Sequence, residues 1–231
     1  MKNPTTRRQS HSNASVDRQA QRIAIFALGD AAVLVRLGTS IDRVSHGRAL
    51  ALARAAGDIH GVENALASYA AVTVYYNPER IGVRTLTQAL RMRAKTGTTS
   101  RSTGQTIEIP VVYDGPDLKS VAEQVGHSVA DVIRIHSEPT YDVFLIGFSP
   151  GLPYLGPLPS ELQLPRRAEP RSRVEAGSVA IGSNQTTIYT YPTPGGFHVL
   201  GRTPARLFHP DATPPALLKA GDRVRFVPST T

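Results

Sequence analysis

The second half of this chain does most to limit its fold. From Ser149 onward, prolines and glycines recur so densely that no long helix can form. Proline removes a helical donor and clashes with the preceding turn, and glycine has the largest backbone entropy to lose. Between the breaks stand short runs of strand composition: GSVAIG, TTIYTY, FHVLGR and RVRFV. Many short strands joined by Gly/Pro turns predict a closed or partly closed β barrel.

The barrel region opens on GFSPG, residues 147–151, which fits the G-x-S-x-G pattern of serine hydrolases. A nucleophile there needs a strand-to-helix turn, a helix after it, and an oxyanion donor from the backbone N–H of the next residue. That next residue is Pro150, which has no N–H. Losing such a donor costs about 2.7–4 kcal/mol of transition-state stabilisation. The following GLPYLGPLP cannot be helical. Ser149 is therefore not read as a nucleophile, and GFSPG is expected to be a strand end turning sharply into a loop.

The first half has a different pattern. Residues 23–37 read as two strands around a Gly29-Asp30 turn. Residues 41–56 read as a helix capped by Ser40, with Ile41, Val44, Leu52 and Ala55 near one face and Gly57 at its end. Within 62–76, Val72, Val74 and Tyr76 alternate with Thr73 and Tyr75, which is strand periodicity. Asn77-Pro78 marks a turn, and 80–93 reads as a helix with Val83, Leu86 and Leu90 at spacings of three and four. The order is ββαββα, a small α+β domain over 23–93. The polar, aperiodic stretch 94–106 reads as a linker and 107–231 as the second domain. The second domain begins with a strand at 107–113. A short helix opened by Asp117 and closed by Gly126 follows, then one capped by Ser128 with Asp131 completing a capping box, then a strand at 141–148.

Charge and composition exclude several classes of function. Residues 1–22 lack an apolar stretch and read as a disordered basic tail, with no secretory signal. There Lys2, Arg7, Arg8, Arg18 and Arg22 stand against Asp17 alone, so the tail holds half of the net charge of +8. With only 6% aromatic residues and none among those arginines, a nucleic-acid surface is not expected. No cysteine is present, which excludes disulfides and thiolate chemistry. No apolar run is long enough for a membrane span. The seven histidines show no metal-ligand spacing, so no protein-bound metal is expected.

Three features could carry chemistry. His136 shares a helix face with Val129, Val132 and Ile133, where a lone histidine is more often a core residue than an acid/base group. PRRAEPRSRVEAG packs Arg166, Arg167, Arg171 and Arg173 together. Their forks suit carboxylates or phosphates, though a solvated loop paired with Glu169 and Glu175 reads equally well. Gly195 and Gly196 let backbone approach a ligand, or simply make a tight hairpin.

GFSPGLPYLGPLP, PRRAEPRSRVEAGSVAIGSNQTTIY and PTPGGFHVLGRTPARLFHP together strongly resemble the family of the 5-oxoprolinase B subunit, which includes KipI-type kinase inhibitors and allophanate hydrolase subunit 1. The resemblance runs from about residue 23 to 228. It implies an α+β protein: an N-terminal ferredoxin-like domain followed by a C-terminal cyclophilin-like β barrel, cytoplasmic and working with A-like and C-like partner subunits of 5-oxoprolinase. It implies ATP-dependent cleavage of a small lactam or amide, 5-oxoproline to glutamate. ATP, with Mg as its counter-ion, would be bound by the assembled complex, and this chain alone would be inactive. The alternatives are a KipI-like inhibitor of a sensor histidine kinase and an allophanate hydrolase or urea carboxylase-type subunit.

On this resemblance, Arg166, Arg171 and Arg202 would hold anionic groups. Ser178, Gln185 and Tyr189 would orient amides, with Tyr154 beside them, and His136 would be a candidate acid/base group. Phe148, Pro150, Leu152 and Phe197 would form a groove for substrate or partner. The chain departs from the family pattern at Leu152 (usually Phe), Glu175 (Pro), Thr187 (Gly) and Phe197 (Trp), mostly near the expected pocket.

Overall fold

The structure, a computed structural model, describes residues 23–96 and 104–230. The basic tail and the centre of the expected linker lie outside the described residues. Contacts divide the chain into two compact units, 1–100 and 101–231.

The first unit follows the order read from its periodicity: β1 (Ala24–Ala27), β2 (Ala32–Arg36), α1 (Arg43–Gly57), β3 (Val62–Ser68), β4 (Ala71–Tyr76) and α2 (Val83–Thr96). The strands form one antiparallel sheet in the order β1-β2-β4-β3. Alternation sends Val33 and Val35 of β2, and Val72, Val74 and Tyr76 of β4, to a single buried face. The helices cover that face with Ala49, Leu52 and Ala56 from α1 and Leu86 and Leu90 from α2.

Two local details differ from expectation. The α1 cap is Asp42, whose Oδ1 accepts the Ser45 N–H at 2.8 Å. Ser40 instead donates to the other carboxylate oxygen of Asp42 at 2.6 Å. A carboxylate with two acceptors can serve both groups, so it displaces the hydroxyl as cap. Val44 is exposed, because the buried stripe of α1 runs through His46, Ala49, Leu50, Leu52 and Ala56.

In the second unit, β5 (Thr106–Val111), β6 (Thr140–Ile146), β7 (Pro153–Gly156), β9 (Ser178–Gly182), β10 (Gln185–Ile188), β12 (His198–Arg202) and β13 (Arg223–Pro228) form one sheet. Its order is β12-β9-β10-β7-β6-β13-β5. All its pairs are antiparallel except β13 with β5. The sheet curls until its two edges meet. Val112, just past β5, exchanges both backbone hydrogen bonds with Arg202 at the end of β12, at 2.8 and 2.9 Å. A separate ribbon pairs β8 (Arg171–Val174) with β11 (Thr193–Gly195).

Helix α3 (Leu118–Val125) ends at Gly126 in the left-handed conformation. Helix α4 (Val129–Ser137) is capped by Ser128, which accepts the Asp131 N–H at 3.1 Å and donates to the Asp131 carboxylate at 2.6 Å. The main core gathers Val121 and Val132 from these helices with Tyr141, Leu155, Ile181, Ile188, Leu200 and Phe226.

Strands β9, β10 and most of β12 are buried on both faces, and in β10 the buried residues Gln185, Thr186 and Thr187 are polar. Val179, Ile181 and Leu200 face the main core. Their neighbours Ala180 and Val199 face a second cluster, with Leu152, Val174, Tyr189 and Phe197. The candidate site lies against this second cluster.

Candidate cleft on the second face of the barrel sheet

A cleft of about 270 Å³ opens on the second face, lined by Phe148, Leu152, Tyr154, Arg166, Pro170, Thr187, Tyr189, Pro194, Gly195, Gly196 and Phe197. Each wall comes from a strand or its immediate flank. Tyr154 stands on β7 and Thr187 on β10, paired across the ladder. Tyr189 follows β10, Phe197 precedes β12, and Gly195 ends β11. Thr187 donates its hydroxyl to the Pro153 carbonyl at 2.7 Å, so the cleft floor is satisfied internally.

Two glycines are needed here for space. A Cβ on Gly195 would overlap the Tyr189 hydroxyl, and one on Gly182 would press into the Phe197 ring at 2.8 Å. The Tyr189 phenol lies in reach of the Phe197 backbone N–H. Burial, aided by the neighbouring Tyr154, raises its pKa against the pull of Phe197, Arg166 and Arg171. Tyr189 therefore stays protonated near neutrality, with its own hydroxyl proton available to donate.

At the rim, Phe148 is 68% exposed and has a φ of 70°, a left-handed conformation that bulky side chains rarely adopt. The GFSPG turn that holds it is closed by Leu152 N–H to Ser149 O at 3.1 Å. Ser149 Oγ lies 3.1 Å from Thr190 Oγ1. No helix follows, in agreement with the rejection of a nucleophile at Ser149.

The arginine run separates into different roles. Asp117, 3% exposed, accepts from Arg171 at 2.7 and 2.8 Å, from Arg167 at 2.9 Å and from the Val199 N–H at 2.7 Å. Burial opposes ionisation of Asp117, but the Arg171 bonds, the Val199 N–H and the charges of both arginines outweigh it and hold its pKa below the ordinary value. Arg171, expected as an anion holder, is paired with a buried carboxylate and does not line the cleft. Arg173 pairs with Glu175 at 2.6 Å, and exposed Arg202 pairs with Asp114 at 2.8 Å. Arg166 differs: its guanidinium stacks on the Phe197 ring at 4.9 Å, inside the cleft lining.

His136 lies on the opposite side of the sheet. It is fully buried, stacked on Phe226 at 4.7 Å, with Nδ1 2.8 Å from the Tyr113 hydroxyl and Nε2 2.9 Å from Thr186 Oγ1. Thr186 donates its own proton to Ala180 O at 3.1 Å, so it accepts from Nε2–H, and Tyr113 donates to Nδ1. Burial lowers the His136 pKa to about 3, which keeps the ring neutral. Adjacent residues on a strand face opposite ways, so Thr186 meets His136 in the core while Thr187 lines the cleft. His136, a candidate acid/base group from its sequence, is placed by this burial in the core and away from the cleft.

Of the other expected residues, Phe148, Leu152, Tyr154, Tyr189 and Phe197 converge on the cleft. Ser178 and Gln185 are buried at the starts of β9 and β10 and do not line it. Pro150 is exposed beside the cleft, its carbonyl accepting the Thr190 hydroxyl at 2.7 Å. Sequence reasoning missed Pro170 and Pro194 as walls and Asp117 as the arginine anchor. Asp117 is 54 residues from Arg171 in the chain, and no local signal connects them. Among the described residues no cluster of His, Cys, Asp or Glu is placed to hold a metal, and no helix is long and apolar enough to cross a membrane.

Comparison with known proteins adds a family and relatives. The family described as carboxyltransferase domain, subdomain C and D, matches residues 23–218. The chain is similar to the 5-oxoprolinase B subunit of Escherichia coli O157:H7, 41% identical over 212 residues, covering 90% of this chain and 97% of that protein. It is also similar to the 5-oxoprolinase B subunit of Bacillus subtilis strain 168, 35% identical over 225 residues, covering 89% and 92%. The K. lactis urea amidolyase structure shares the fold at a TM-score of 0.73 and 18% identity. It matches 91% of this chain, which spans only 15% of that protein.

Proposed function

The chain belongs to the carboxyltransferase domain, subdomain C and D family, and on that footing we propose that it is the B subunit of a 5-oxoprolinase-type enzyme. The observation that carries this reading is similarity to two proteins of that name over about nine-tenths of the chain. The net change opens the C–N bond of 5-oxoproline with water to give glutamate, coupled to hydrolysis of ATP to ADP and phosphate. A-like and C-like partner subunits complete the enzyme, which works in the cytoplasm, and this chain by itself is inactive. We read the first unit, to the end of α2 at Thr96, as a ferredoxin-like domain and the second, from β5 at Thr106, as a cyclophilin-like barrel, so that α2 and β5 each extend into the expected 94–106 linker.

The cleft is the part of this chain we assign to the substrate. Its lining carries one cationic side chain, Arg166, and no carboxylate, a poor match to a triphosphate with its Mg ion. We therefore assign ATP to the assembled complex and route no step through it here. Ser178, Gln185 and Arg202 lie outside the lining; Ser178 and Gln185 are buried in the sheet, and the place of exposed Arg202 in our reading is at a surface completed by a partner.

The test is ATP-dependent glutamate release from 5-oxoproline, measured on this chain alone and mixed with its A-like and C-like partners. Turnover only in the mixture supports the reading. An assembled mixture without turnover sinks it. The exposed Phe148 beside an apolar groove favours a second reading, an inhibitor docking on a histidine kinase. Pull-down of a kinase dimerisation helix, lost in Phe148→Asp, would support that alternative.

A further inference from the structure

Four arginines crowd the segment 166–173, and three of them are paired: Arg167 and Arg171 with Asp117, and Arg173 with Glu175. Arg166 has no carboxylate partner among the described residues. It lies over Phe197 at the mouth of a cleft whose other lining residues are uncharged. Stacking uses the face of a guanidinium and leaves its edge, with its forked N–H groups, to receive an anion. The Tyr189 hydroxyl belongs to the same lining, packed against Gly195. Arg166 and Tyr154 lie within electrostatic range of it, and burial raises its pKa, which keeps its proton available to donate. The walls are otherwise Phe148, Leu152 and the rings of Tyr154 and Phe197.

We propose that this cleft is a binding site, on this chain alone, for a small monocarboxylate with an apolar body, held by a charge-assisted bond to Arg166. The proposal deepens the assignment of the cleft to substrate and rests on it. Size and charge set the ligand class. About 270 Å³ is just below the usual range for drug-sized ligands and suits a single small ring. One guanidinium balances one carboxylate, and a polyphosphate would leave most of its charge uncompensated against aromatic walls. The Asp117 anchor keeps Arg167 and Arg171 out of competition for the ligand and ties down the loop that presents Arg166. Arg167 N–H to Gly196 O at 2.8 Å joins that loop to the opposite wall.

Calorimetry on the full-length chain tests this with four probes: 5-oxoproline, cyclopentanecarboxylate, 2-pyrrolidone and Mg-ATP. Both carboxylates should bind, and 2-pyrrolidone at least tenfold more weakly. Arg166→Gln should bring the carboxylates down to the level of 2-pyrrolidone. Arg166→Lys, which keeps the charge and loses the fork, should fall between. Thermal unfolding of each variant should match the parent, because an exposed side chain without an ion pair contributes little to folding. Equal binding of 2-pyrrolidone and the carboxylates, unchanged carboxylate binding in Arg166→Gln, tighter binding of Mg-ATP than of either carboxylate, or no carboxylate binding would each overturn the proposal. Turnover of 5-oxoproline by the assembled enzyme that is indifferent to Arg166→Gln would sink this site and leave the 5-oxoprolinase reading standing. Arg166-dependent carboxylate binding without 5-oxoproline turnover in the assembled enzyme would do the reverse.

Discussion

Asp117 and Arg171 are joined by two hydrogen bonds, 2.7 and 2.8 Å, across 54 residues of chain. The carboxylate lies at the start of α3 yet makes no capping bond to that helix. It turns instead to two arginines and the backbone of β12, linking the loop before β8, the barrel edge and the helix layer. Its cost and its use follow from burial: a carboxylate out of water is tolerated only when its oxygens are saturated with donors.

Asp117→Asn should therefore destabilise the chain, leaving Arg167 and Arg171 partly buried without a counter-charge. Removing one partner of a buried pair costs about 3–5 kcal/mol, and the arginines' partial exposure places the loss near ~3 kcal/mol. Urea unfolding at pH 7 measures it. The folded pKa of Asp117 is depressed, so its contribution is present above the unfolded value and is lost as pH falls through the folded one. The gap between parent and Asp117→Asn should accordingly narrow below about pH 4, the ordinary aspartate value. A gap that stays constant down to acid unfolding would contradict this.

His136 gives a second pH signature in a higher window. Its folded pKa is near 3, below the ordinary histidine value, because burial disfavours the charged ring. The unfolded chain binds the proton more readily, so His136 withdraws stability as pH falls below about 6.5, by up to about 1.4 kcal/mol per pH unit. His136→Phe keeps the stacking on Phe226 but leaves the Tyr113 hydroxyl without its acceptor, at a cost of about 1–3 kcal/mol at pH 7. Between pH 7 and 5 the stability of this variant should fall less steeply than the parent's. Activity per folded molecule in the assembled enzyme should be retained. A hundredfold loss of kcat in folded enzyme would return His136 to the chemistry.

Gly195→Ala should distort the cleft. The new Cβ would overlap the Tyr189 hydroxyl and force the phenol or β11 to move. Overpacking of this kind costs about 1–3 kcal/mol, read as a lowered unfolding midpoint. Calorimetry should show weaker carboxylate binding as well. Binding unchanged from the parent would mean that Tyr189 does not shape the site.

Arg202→Ala should leave stability nearly unchanged, because its pair with Asp114 is exposed on both sides and such pairs contribute about 0–1 kcal/mol. A fall in activity of the assembled enzyme, without a change in unfolding midpoint or in carboxylate binding by this chain, is the result expected if Arg202 faces a partner. Full activity would exclude that placement.

Much of the molecule is legible in local signals. The turn at Gly29-Asp30, the alternation of Val72, Val74 and Tyr76, and the Ser128–Asp131 capping box each appear where their spacing puts them. The failure of GFSPG as a nucleophile elbow follows from Pro150 alone. The α1 cap falls two residues beyond its expected place because Ser40 and Asp42 both suit the position, and only geometry chooses between them.

The sequence by itself determined the order of strands and helices in the first unit, the family, and the aromatic residues that would gather near GFSPG and PGGF, while the strands β7, β8 and β11 went unread. These depend on spacings of two to four residues and on contiguous motifs, where neighbours in the chain are neighbours in space. Tertiary structure alone decided which arginine stays unpaired and which face of β10 meets the cleft. Arg166 and Arg171 look equivalent in PRRAEPRSR, and the carboxylate that separates them arrives from the start of α3. His136 looks available for chemistry until Thr186 and Phe226 close around it. Burial and charge pairing depend on partners about 50 or more residues away, and the pattern along the chain does not encode those distances.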